Sequence, residues 1–483
     1  MSNATVPAGG QLPVRNPRTG EADYSISPPS AEELRGMTAK LRWAQGAWHE
    51  AGVEHRVAVL KQWSARLLAQ PGPLLDALSV DTGRYLLAQK EVRALGGIVA
   101  GFSAIGLQVL AEAPERASVT PGIGIRSQLV PNPLVGVISP WNFPFLLSVL
   151  DSVAALVAGC AVIVKPSEVT PRFVAPVRES LAEFPELSSV FAWVTGDGRT
   201  GAELIGEVDA VCFTGSVATG RKVAESCARH FIPAFLELGG KDPAIVLGSA
   251  DVGRAADIVL RASVQATGQA CQSLERVYVD ERIYPRFVAA LVERARAVQL
   301  NYPDIHRGQI GPLIFARQAE IIADHLADAR AKGAQVLCGG EIETHGGGLW
   351  IRPTVLTGVS HDMKVMREET FGPLMPVMSY RTVDEAVALA NDSEYGLTAA
   401  VIGDEQEAIA VARRLEAGAV SINDGALTTE VFDAEKNAFR MSGLGASRMG
   451  PSGVLRFLRR KALLIQHGRA KDIGALEERL AGS

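Results

Sequence analysis

Apolar positions along this chain fall into two textures. Between Ser30 and about Gly106 they recur every three or four residues, the spacing of helices that bury one face. Ser30, with Glu33 three positions on, has the spacing of a capping box, which predicts a helix start there. Trp43, Trp48 and Trp63 lie in this region and are expected to anchor a core or an interface. From Ile123 the texture turns to strands. LVGVISP (134–140), CAVIVKP (160–166), FAWVTG (191–196), AVCFTG (210–215) and AIVLG (244–248) are short continuous apolar runs separated by amphipathic stretches. Such runs predict parallel strands covered on both faces, a doubly wound α/β domain. Ligands of that architecture bind beyond the carboxyl ends of the strands, here ISPWN, KPSE, TGDG and TGS. IRSQLVPNP alternates weakly ahead of them, and Pro131 and Pro133 demote it to an edge or excursion strand. The second half alternates again, from VYVDERIYPRFVAALVERARAV through LWIRPTVLTG, MPVMSY and TAAVIG to AVSIND, and predicts a second α/β domain. In the tail KALLIQH reads as one more strand, followed by an exposed charged helix. It and IRSQLV stand outside the two main sheets, and unpaired strands of this kind often pair across a subunit boundary.

Composition narrows the partners. With 483 residues, 47% hydrophobic and 21% charged, the chain can bury large cores, and a net charge of -5 leaves no electrostatic footprint for nucleic acid or an anionic membrane. A small-molecule partner is expected. The five cysteines (Cys160, Cys212, Cys227, Cys271, Cys338) are scattered without zinc-site spacing, so no metal is expected and a reducing cytoplasm is. The first residues carry neither a basic nor an apolar leader region, and no run reaches the ~18 apolar residues of a membrane span.

Several short segments carry chemistry, each with a plainer alternative. TGQACQSLERV (267–277) sets Cys271 in a polar, glycine-containing stretch before an apolar strand, where a nucleophile fits as well as a buried thiol. LELGGKDP (236–243) isolates Glu237 between apolar residues, where partial desolvation would raise a carboxylate towards general-base range; a structural salt bridge is the alternative. PWNFPF (140–145) offers the Asn142 amide as a donor to a developing oxyanion, or as a turn residue. In KPSE (165–168), Lys165 and Glu168 suit ribose hydroxyls, or are solvated loop charges. GDGRTG (196–201) and GSVATG (215–220) follow strands, and the latter opens a helix whose free N–H groups suit a pyrophosphate. EETFGP (368–373) places Glu369 and Phe371 before a Gly-Pro turn.

In this order the segments PWNFP, KPSE, FTGS, LELGGK, GQAC and EETFGP resemble the aldehyde dehydrogenase superfamily, from about Asn16 to the tail. Gly268, Gln269, Cys271 and Arg276 match its GQxCxxxxR signature. The resemblance implies an α/β fold of two doubly wound domains, a Rossmann-like cofactor domain (1–112 and 132–238) and a catalytic domain (239–445). It adds small bridging strands (113–131 and 455–470), which carry assembly into a homodimer or homotetramer, and a tail (471–483). It makes Cys271 the nucleophile, Glu237 the general base, and Asn142 with the Cys271 backbone N–H the oxyanion hole. NAD is the implied cofactor, with NADP as an alternative. Lys165 and Glu168 would hold its adenosine ribose, Ser216 the pyrophosphate, Glu369 the nicotinamide ribose, and Phe371 would flank the ring. Ile138, Ser139, Pro140, Trp141, Ser167, Gly198, Phe213, Gly215, Leu238 and Gly239 complete the implied contacts. Phe143, Leu147 and Leu150 share a helix face that the resemblance sets beside the substrate tunnel, so a hydrophobic aldehyde is expected; the alternative is that the stripe is core. Glu237 argues for hydrolysis to a free acid, against a relative that passes the acyl group to coenzyme A or one that is catalytically silent. The chain departs from the family pattern PFGGxKxSGxG at EKNAFRMSGLG (435–445), and it lacks the strand expected before the NPRTGE turn (16–21).

Overall fold

The computed structural model describes residues 10–478. It places a strand before NPRTGE after all: Leu12–Arg15 pairs antiparallel with Ala22–Ile26. Pro13 and a single buried residue, Val14, gave that strand too little alternation to be read. The helix Ala31–Glu50 starts at the expected capping box, Ser30 Oγ accepting from Glu33 N at 3.2 Å and Glu33 Oε2 from Ser30 N at 2.8 Å. Val53–Ala69, Gly72–Thr82 and Tyr85–Val109 follow. Trp48 and Trp63 are buried, with their indole N–H groups bonded to Leu156 O and Ser180 Oγ. Trp43 is 88% exposed and is no part of the core. Tyr85–Val109 is long and apolar enough by composition to cross a membrane, but it buries Ala88, Val92, Leu95, Val99 and Phe102 in a core shared with Pro144–Ala158.

Two open sheets organise the rest. The first has the spatial order 443–444, 234–237, 210–214, 134–138, 161–165, 191–193, parallel except for its terminal strand Gly443–Leu444. Its fifth parallel strand is Ala234–Glu237, which the apolar pattern did not reveal, whereas the run 244–248 belongs to the other sheet. That second sheet runs 335–338, 354–357, 374–380, 274–280, 242–246, 398–402, 419–422, all parallel except at its first edge. Alternate residues of its strands enter separate cores on its two faces. Ile245 and Tyr278 point to one, Ala244, Val246, Val277 and Val279 to the other, the period-two signature of a buried strand.

A third sheet is antiparallel: Ile123–Pro131 lies between Leu458–Gln466 and Arg116–Ala117. Ile123–Pro131 is therefore central there, because Pro131 falls at its end and interrupts nothing. The expected charged helix of the tail is only a short turn, Ile473–Leu476, among the described residues.

Two features position the site. In the first sheet the strand order reverses between Leu134–Ile138 and Ala210–Thr214, so a crevice opens beyond Ile138 and Thr214. Only Leu238–Lys241 separates the last residue of one strand, Glu237, from the first residue of the next sheet's strand, Asp242. The carboxyl end of one sheet thus meets the amino end of the other.

Candidate active site

Cys271 lies at that seam, three residues before the strand Leu274–Asp280. The loop ahead of it is strained: Ala266, Thr267 and Gly268 all have left-handed backbones, with φ of 56°, 61° and 69°. A side chain on Gly268 would lie 2.3 Å from the Gly372 carbonyl carbon, so glycine is required there. Hydrogen bonds hold the strain in place. Thr267 Oγ1 donates to Gly311 O at 2.9 Å, Gln269 Nε2 donates to Pro312 O at 3.1 Å, and Ile314 N donates to Gln269 Oε1 at 2.9 Å. The thiol therefore sits half-buried on a strapped, non-helical loop.

Asn142 follows the strand Leu134–Ile138 and precedes the helix Pro144–Ala158, which Pro144 opens. It is buried, and its Nδ2 donates to Gln269 O at 3.0 Å, which brings the amide to the cysteine loop. Its own carbonyl accepts from Arg84, whose guanidinium also lies 5.2 Å from the Phe143 ring. Arg84 is sealed, and its Nε and Nη1 have no partner. Burial lowers its pKa to about 10, although Glu91 works the other way. Glu91 receives Phe145 N and Leu146 N at 3.2 and 3.1 Å, and burial raises it to about 7. The first turn of the asparagine's helix is thereby anchored from below.

Around the thiol the field is mixed. Burial, with Glu369, Asp242 and Glu237 adding like charge, pushes Cys271 up to about 12, while Lys436 pulls it down. Glu237 is half-buried at its strand end and acts electrostatically on Cys271, Lys436 and Arg448. Glu369 Oε1 accepts from Gly240 N at 3.2 Å, and a side chain on Gly239 would come within 2.3 Å of Glu369 Oε2, so the glycine pair admits that carboxyl. Burial first, then Glu275, raises Glu369 to about 8. Lys241 and Glu275 form a buried pair at 2.7 Å, and Glu275 also accepts from Thr370 N and Phe371 N, both at 2.7 Å. That pair fixes Phe371, held at φ 52°, against Trp141, ring centroids 5.3 Å apart.

The crevice of the first sheet suits a dinucleotide. Ser216 caps the helix Val217–His230 at the strand-order reversal, its hydroxyl exposed and accepting from Thr219 N. Phe213 packs its ring over Gly215, and Leu238 is buried against Gly220. Lys165 is buried at its strand end, with Nζ donating to the half-exposed Glu168 at 3.3 Å. Ser167 Oγ accepts from Val169 N at 3.2 Å in the same turn. Ser139 Oγ instead bonds Ser148 at 2.6 Å, which leaves Ser139 and its neighbours Ile138 and Pro140 to act through backbone and shape. Gly198 starts a short helix capped by Asp197, with open space above it.

The expected substrate stripe divides. Phe143 and Leu147 are half-buried, whereas Leu150 is 2% exposed inside the core, where the core alternative holds. Arg276 is structural: it is buried, donating to Lys241 O at 2.8 Å and to Ala390 O at 2.9 Å. Sequence reasoning missed Arg84, Glu91 and the Lys241–Glu275 pair. Lys241 lay inside LELGGK, where a lysine between a glycine pair and a strand was the available signal.

The fold and site define a nucleotide-dependent oxidoreductase built around a cysteine. The sequence pattern of the aldehyde dehydrogenase family matches residues 5–463, and the chain belongs to that family. It is 36% identical over 452 residues, 92% of this chain and 87% of the relative, to "Putative succinate-semialdehyde dehydrogenase, NADP(+)" of Mycolicibacterium smegmatis. Among solved structures it is similar to "Putative Aldehyde Dehydrogenase PutA" of Anabaena variabilis, with a TM-score of 0.94, 52% identity, and 96% and 99% of the two chains covered. It is also similar to betaine aldehyde dehydrogenase of Staphylococcus aureus in complex with NAD+, with a TM-score of 0.90, 27% identity, and 95% and 93% coverage. The protein is an NAD(P)-dependent aldehyde dehydrogenase.

Proposed function

We propose that the enzyme oxidises an aldehyde to its carboxylic acid through a covalent thioester on Cys271. The observation that carries this reading is the meeting of Cys271, Asn142 and Glu237 at the seam of the two sheets. The Cys271 thiolate adds to the carbonyl carbon, and the oxyanion of the thiohemiacetal is met by Asn142 Nδ2–H and the Cys271 backbone N–H. A nicotinamide, when bound, supplies the hydride acceptor. Lys165 and Glu168 would hold the adenosine ribose, Ser216 and the following N–H groups the pyrophosphate, and Glu369 with Phe371 the nicotinamide ribose and ring face. Glu237 then takes a proton from water as that water attacks the thioester, and the acid leaves with the thiol restored. The five unpaired cysteines support a cytoplasmic site of action.

An assay of NAD and NADP reduction across a panel of aldehydes, with and without coenzyme A, tests the reading. Reduced cofactor and free acid without coenzyme A are expected. Strict dependence on coenzyme A, or no reduction at all, would overturn it. An apolar aldehyde has support from the half-buried Phe143 and Leu147; an aldehyde bearing a carboxylate has support from the relative named for succinate semialdehyde.

A further inference from the structure

We propose that Lys436 is the counter-ion for a carboxylate carried by the substrate, so that the enzyme selects short aldehydes with an anionic group; this rests on Cys271 being the nucleophile. Lys436 lies in the segment that departs from PFGGxKxSGxG, at the place where the pattern has Phe. A cation has replaced an apolar ring, and the backbone around it is pinned. Glu435 Oε1 accepts from Ser452 N at 2.6 Å, and Lys436 N donates to Ser447 Oγ at 3.2 Å. The half-buried side chain turns towards the residue after the nucleophile: with the Gln272 amide assigned the orientation that satisfies its neighbours, its oxygen accepts from Lys436 Nζ at 2.9 Å. The Gln272 amide is itself fixed, its nitrogen donating to Thr428 O at 3.2 Å and Thr428 Oγ1 at 2.6 Å.

An ammonium has three protons to give, and among the described residues the side chain of Lys436 gives one, to a neutral amide. No carboxylate of the described residues pairs with it; Glu237, Cys271 and Asp242 act on it only through their field, against the cost of burial. The other cations facing the seam are committed. Lys241 pairs with Glu275 at 2.7 Å, Arg448 with Asp151 at 2.6 Å and Lys165 with Glu168 at 3.3 Å. Arg84 is not paired, but it is sealed behind Asn142, where only its Nη2 is bonded, to the Asn142 carbonyl. Thr428 and Lys436 both meet Gln272, one residue past Cys271, so a substituent on a carbon held at Cys271 that extends to that side would reach Lys436. A partly desolvated cation without an anion meets a substituent there, and a carboxylate completes it.

The test compares kcat/KM for succinate semialdehyde with that for its methyl ester, in the wild type, Lys436→Met and Lys436→Arg. The wild type should favour the anion, Lys436→Met should lower the anion-to-ester ratio at least tenfold, and Lys436→Arg should restore most of it. A wild-type ratio at or below one, or parallel losses on both substrates in Lys436→Met, would overturn the proposal. A binding arm is independent of turnover. Succinate should slow alkylation of Cys271 by iodoacetamide in the wild type and not in Lys436→Met, and equal protection of both counts against it. An enzyme that oxidises no aldehyde fails the proposed function; one that oxidises aldehydes without regard to charge fails only this inference.

Discussion

At Cys271 the proposed role sets two demands against each other, because a nucleophile there must ionise in a pocket whose burial and neighbouring carboxyls hold its pKa up to about 12. In the enzyme without ligands, alkylation of Cys271 should therefore keep rising with pH through the neutral and mildly alkaline range, without a plateau. A plateau near neutrality, read by mass spectrometry of the labelled residue, would show that the thiolate is already stabilised. Cys271→Ala should abolish aldehyde oxidation and leave cofactor binding nearly intact, and substantial residual turnover would remove the residue from the mechanism. Glu237→Gln keeps the shape and loses the proton acceptor, typically worth ~10² to 10⁴-fold. The variant should reduce one equivalent of NAD rapidly and then stall as an acyl-enzyme, visible in a stopped-flow burst. Cofactor choice turns on Glu168, whose half-exposed carboxylate pairs with Lys165. A 2′-phosphate placed beside it meets like charge, and each ~1.4 kcal/mol of repulsion is tenfold in affinity. NAD should be preferred, and Glu168→Gln should raise the NADP-to-NAD ratio of kcat/KM. An unmoved ratio would show that this carboxylate does not face the ribose.

Elements were legible where burial is symmetrical and illegible where the site interrupts the pattern. Continuous runs such as Ala161–Lys165 and Ala210–Thr214 are sealed on both faces, and their strands were evident from apolar content alone. Ala234–Glu237 was not, because it is only four residues long and ends in a half-buried glutamate that serves the seam rather than the core. The loop at 266–268 is likewise invisible to propensity, since its left-handed backbone is imposed by contacts with Gly311, Pro312 and Gly372. The element that carries Glu369 depends on one buried pair. Removing Glu275 strands the Lys241 ammonium, at 0% side-chain exposure, and orphans the Thr370 and Phe371 N–H groups. Breaking a buried pair from one side costs ~3–5 kcal/mol. Glu275→Ala should lower unfolding stability by that order in urea titrations, and Lys241→Met in the same chain should recover part of it. A loss below ~1 kcal/mol would mean that water reaches the pair.

At the scale of the whole molecule, the seam was legible as separate segments in a known order, while the charges that tune it were not. Glu237, Asn142 and Cys271 stand out locally, but the effect of Lys436 on Cys271 exists only because residues 165 positions apart are folded together. One surface is an open edge. Leu458–Gln466 is the outer strand of the three-stranded sheet, nine residues long, with Leu464 71% and Leu463 41% exposed. Arg459, Arg460 and Lys461 charge its first half, and the apolar second half is the kind of open edge that a single chain leaves at risk of pairing with another. A second copy of the chain meeting this strand would cover that exposure, and the homo-oligomer expected from the sequence is tested there. Burying one leucine stabilises by ~1.5–3 kcal/mol, and a two-fold contact counts it twice. Leu464→Asp should therefore weaken association by ~10²-fold or more, a shift towards monomer measured by light scattering on a sizing column at micromolar concentration. Retention of the wild-type mass by Leu464→Asp would place the contact elsewhere, and a monomeric wild type would show that the charged half of the edge is protection enough.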